Sequence, residues 1–89
     1  MQMLVGWDNA VERETIQSFL NIGDNTAHVF GDAAEFESAL RSGNYDVVLL
    51  ALNFPAQKEC FALFQRIRRE RPDTPIVGAW FQGELSHIA

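Results

Sequence analysis

Hydrophobic and polar positions along this chain follow two alternating spacings, and the points where one gives way to the other mark out seven elements. Met3-Leu4-Val5-Gly6 is a short apolar run that stops at Trp7-Asp8-Asn9. Ile16, Phe19 and Leu20 then recur at helical spacing among Glu12, Arg13, Glu14, Gln17 and Ser18, which predicts an amphipathic helix with those three apolar side chains toward the core. Asn9 with Glu12 three residues on reads as a capping box, and Gly23 stands where a left-handed C-cap is expected. Ala27-His28-Val29-Phe30 predicts a second strand. Asp32 and Glu35 repeat the capping box ahead of Phe36, Ala39 and Leu40, and Arg41-Ser42-Gly43-Asn44 supplies a cation and a glycine stop. Val47-Val48-Leu49-Leu50-Ala51-Leu52 is apolar without alternation, the mark of a central parallel strand covered on both faces. Cys60, Leu63, Phe64 and Ile67 define a third helix running to Arg71 and ended by Pro72, with Lys58 before it. Pro75-Ile76-Val77-Gly78-Ala79-Trp80-Phe81 predicts a fourth strand, and a short polar tail follows.

The order is βαβαβαβ with short connections. Such alternation implies an α/β fold: a doubly wound parallel sheet with right-handed crossovers and helices on both faces. The chain of 89 residues is long enough for one domain, taken as 1–89, and shows no repeat or linker. A content of 47% hydrophobic and 21% charged residues argues against disorder. One cysteine excludes a disulfide framework and a structural zinc cluster, and it points to a reducing, cytoplasmic setting. No apolar run approaches the roughly 18 residues of a membrane span. A net charge of −5 disfavours a whole-domain grip on nucleic acid or an anionic membrane.

Ligands of open α/β sheets bind beyond the carboxyl ends of the strands. Here those ends carry Trp7-Asp8-Asn9, Gly31-Asp32, Asn53-Phe54-Pro55 and Trp80-Phe81-Gln82. Neither a G-x-G-x-x-G crossover nor a phosphate-cradling P-loop is present, which speaks against nucleotide sites of those kinds. Three segments resemble the receiver domain of bacterial two-component response regulators. Gly43-Asn44-Tyr45-Asp46-Val47-Val48-Leu49-Leu50-Ala51-Leu52-Asn53-Phe54-Pro55 is similar to the family's third strand and following loop. Leu4 to Asn9 is similar to its first strand, and Arg66 to Val77 to its third helix and fourth strand. The third-strand segment is the specific one. The resemblance implies a flavodoxin-like sheet of order 2-1-3-4 here, with the family's fifth strand and fifth helix lacking and the domain therefore incomplete at its C-terminus.

The chain departs from the family where the family's chemistry lies. The resemblance places the phosphoryl-accepting aspartate at Ala51, whose methyl group is neither a nucleophile nor a metal ligand. The acidic pair that would hold magnesium is Trp7-Asp8, leaving one carboxylate of three, and the switch hydroxyl is replaced by Trp80. The family's later lysine has no counterpart, since Lys58 is the only lysine, and the loop around it is one residue longer than usual. The vestigial acceptor site is thus Trp7, Asp8, Ala51, Asn53 and Trp80. No catalytic residue, phosphoacceptor, metal ligand or cofactor is expected.

Single residues admit plainer roles. A lone Asp8 at a strand–helix junction satisfies backbone N–H groups more readily than it holds a metal. Arg66, Arg68, Arg69 and Arg71 form a solvated last turn that complements its own helix dipole. Cys60 continues an apolar stripe and reads as a core thiol, and His28 and His87 receive no role. For Trp7 and Trp80 two readings stand: a plug in the emptied pocket, or a contact surface. With the fifth helix lacking, the first helix alone covers one face and the fourth strand is an edge. Val77, Trp80 and Phe81 are the expected interaction residues, for a protein partner or self-association. The function expected is a phosphorylation-independent interaction or regulatory module of a larger signalling protein, not an enzyme. The alternative is a small-ligand sensor using the vacated pocket. An active acceptor at Asp8 or Asp32 has little support without metal ligands.

Overall fold

The apolar runs become strands of one parallel sheet, and the helical stripes become its crossovers. The computed structural model describes residues 1–79, so Trp80, Phe81, Gln82 and His87 lie outside the described residues. The elements are β1 (Gln2–Gly6), α1 (Ala10–Leu20), β2 (Thr26–Phe30), α2 (Ala33–Ser42), β3 (Val47–Ala51), α3 (Gln57–Glu70) and β4 (Ile76–Ala79). The sheet order is β2-β1-β3-β4, all parallel, which is the flavodoxin-like layout. Right-handed crossovers then decide the layers. The step from β1 to β2 runs one way along the sheet and the later steps run the other way. α1 therefore lies on one face, and α2 and α3 lie on the opposite one.

Register sorts the side chains between these faces. Leu4 pairs with Val48 and Val48 with Ile76, so they point one way, while Met3, Val5, Leu49 and Val77 point the other. On the α2/α3 side Leu4, Val48, Leu50, Phe36, Leu63 and Ile67 are almost fully buried. On the α1 side Met3, Val5 and Ala27 are buried, but Val47 and Leu49 are only half-buried and Val77 is 47% exposed. The unbroken apolar run of β3 is therefore covered completely on one face only. Its expected last residue, Leu52, lies outside the strand and is exposed.

Most predicted caps form, with two corrections around α1. Asn9 accepts from the Glu12 amide at 3.0 Å, and Asp32 from the Glu35 amide at 3.3 Å. Gly23 does not cap α1. Asn21 does, donating its backbone N–H and its side-chain amide to the Gln17 carbonyl, while its side-chain oxygen accepts from the Ala27 amide at 2.9 Å. One side chain thus closes the helix and ties it to β2, because asparagine reproduces backbone hydrogen bonding locally. Gly23 instead takes the left-handed conformation, φ 67°, in the turn beyond.

Phe19 is the second correction, being 69% exposed rather than in the core. Consecutive residues stand about 100° apart around a helix, so Phe19 and Leu20 cannot share a narrow contact stripe. Ile16 and Leu20 take it, and Arg13, one turn earlier, occupies the position that an apolar residue would fill.

Polar side chains fasten the other end of the sheet. Asp46 accepts from the Gln2 amide at 2.7 Å, and its own amide donates to the Gln2 carbonyl at 2.8 Å. Arg71 is the C-cap of α3, but its guanidinium serves α2, donating to the carbonyls of Leu40 and Gly43 and to the Asn44 side chain. Its charge therefore complements the dipole of α2 as well as standing at the end of its own helix. Arg66 pairs with Glu37 at 3.1 Å near the surface, where such a bridge contributes little. Lys58 lies inside the first turn of α3, not before it. No helix among the described residues is long and apolar enough to cross a membrane.

Candidate functional site

The carboxyl ends of β1, β3 and β4 meet at a cleft of about 150 Å³. Trp7, Asp8 and Asn9 form one wall with Glu12 of α1, while Ala51, Leu52 and Asn53 form the other, and Ala79 closes the β4 side. The topology explains the meeting: β1 and β3 are neighbours, so the loops leaving them stand side by side. Of the vestigial site expected from the sequence, Trp7, Asp8, Ala51 and Asn53 come together here, and Trp80 lies outside the described residues.

Trp7 is held from three directions. Its ring is 3% exposed and belongs to the core, its amide donates to the Phe30 carbonyl at 2.9 Å, and its indole N–H donates to Glu12 Oε1 at 2.7 Å. Such burial favours filling over surface contact for this tryptophan. Arg13 secures the same loop by donating to the carbonyls of Trp7 and Asp8 at 3.0 and 3.1 Å. Its guanidinium passes so close to Gly31 that a Cβ there would collide with it. Arg13 and Glu12 are the residues sequence reasoning missed. Their helical spacing placed them on polar flanks, and only the approach of β1 to α1 turns them toward Trp7.

Ala51 is 4% exposed, and its carbonyl accepts from the Phe54 amide at 3.0 Å and from the Cys60 thiol at 3.4 Å. Burial pushes the Cys60 thiol above its ordinary range, and the negative charge of Asp8 adds to this against a backbone hydrogen bond at Phe54. At neutral pH it stays a protonated, buried thiol, as expected of a core cysteine. Phe54 itself is fully buried, edge-on to Phe36 at 5.3 Å between ring centroids. Gly6 makes room for it, since a Cβ at that position would stand 2.5 Å from the ring.

The carboxylates at the carboxyl ends of the strands are scattered among separate tasks. Asp8 is exposed, Glu12 is engaged by the indole, and Asp32 is spent on the cap of α2. Among the described residues no three acidic, histidine or cysteine side chains converge on one point. Magnesium demands carboxylates together with phosphate, so this donor set does not fit it.

The Trp7–Glu12 bond is open to a direct check. Glu12→Ala is expected to lower stability by about 1–3 kcal/mol, because the indole N–H loses its partner in a part-buried place. Glu12→Gln keeps an acceptor and is expected to lose less; urea unfolding of the two variants measures the difference. No protein-family model, no curated protein and no solved structure matches this chain.

Proposed function

We propose that this chain is a degenerate receiver-like module, acting in cytoplasmic signal transduction by binding a protein surface, as part of a larger regulator and without phosphorylation. The observation that carries the reading is the acceptor corner itself. A buried methyl stands where the resemblance implies a nucleophile, and a buried indole, Trp7, stands where it implies one of the two metal-binding carboxylates. A corner filled this way supports packing, not group transfer.

Treatment with acetyl phosphate and magnesium is therefore expected to leave the intact mass unchanged. A stable gain of one phosphoryl group on an aspartate would overturn the proposal. Ala51→Asp alone is expected to remain unphosphorylated too, because Trp7 still stands in place of the second metal carboxylate.

The surface offered for binding is the sheet face that, among the described residues, α1 alone covers. Val77 is exposed there beside half-buried Leu49. Apolar area contributes about 25 cal/mol for each Å² removed from water. Burial of a few hundred Å² supplies several kcal/mol before the entropy of association is subtracted. Light scattering over a concentration series is expected to show association that Val77→Asp weakens and Arg69→Ala leaves alone. A monomer at every concentration would remove self-association and leave only a separate partner.

The polar cleft favours a second reading, the sensing of a small ligand. Its roughly 150 Å³ falls below the 300–1,000 Å³ or so of ordinary small-molecule sites, which is why the interaction module stands first.

A further inference from the structure

We draw no further inference here: the strongest candidate, the apolar groove that Leu52, Cys60, Phe61 and Phe64 line between α3 and the end of β3, carries nothing because nothing in the structure shows what covers it.

Discussion

Phe54→Ala is expected to cost about 3–5 kcal/mol of unfolding free energy, the range for truncating a fully buried phenylalanine. The ring has no exposure, rests edge-on against Phe36, and fills the space that Gly6 leaves by lacking a Cβ. Part of the loss is transfer of the ring out of water, and part is the cavity left between β1 and α2, which a rigid parallel sheet closes poorly. An aromatic pair contributes a further 0.5–1.5 kcal/mol or so beyond area. Small domains carry only about 5–15 kcal/mol in total, so this one change removes a large share of the margin. Urea unfolding followed by circular dichroism should show a much lower midpoint with an unchanged slope. Phe61→Ala is the control: that ring is 70% exposed, and the change should stay within about 0.5 kcal/mol. Equal effects at the two positions would mean that Phe54 does not anchor the loop beneath the cleft.

Arg71→Ala is expected to be the next largest effect, about 2–3 kcal/mol, well beyond what an arginine in a helix's last turn ordinarily contributes. The guanidinium donates to two carbonyls at the end of α2 and to Asn44, and its surroundings are partly buried. Hydrogen bonds to a charged group contribute about 1.5–3 kcal/mol, and removing the donor leaves those carbonyls to find water. Arg71→Lys should recover only part of the loss, since an ammonium lacks the fork that reaches several acceptors at once. Hydrogen exchange localises the effect: amides in the last turn of α2 should lose protection before those of β1. Arg69→Ala, at an exposed position with no partner among the described residues, should change neither measure.

These two residues show why only part of the site could be read from the sequence. Phe54 was legible as a loop residue after the third strand, but not as a core anchor. Its burial depends on Gly6, which lies in another strand and is brought beside it only by the β1–β3 pairing. Arg71 was legible as a cation near a helix end, but the helix it serves is the preceding one, nearly thirty residues back in the chain. Trp7 and Ala51 were readable as neighbours through topology, whereas the carboxylate that binds the indole was hidden inside a capping motif. Glu12 does receive the Asn9 cap through its amide, and its side chain does not return the bond as a capping box would; it turns to Trp7 instead.

The sequence by itself determined the order and type of the seven elements, the parallel sheet and the end of it where the cleft lies. Those follow from local periodicity, caps and chain-crossing rules, which need no knowledge of distant contacts. Tertiary structure alone decided which apolar residues are buried. Ile16 and Phe19 look alike in the pattern, yet one meets the sheet and the other faces solvent, because the contact stripe is narrow and runs through Ile16 and Leu20, with Phe19 beyond its edge. It also decided that β3 is fully covered on one face only. Periodicity reports how apolar a strand is, whereas coverage depends on how many helices the topology sends to each side, and among the described residues one face receives two and the other receives α1 alone.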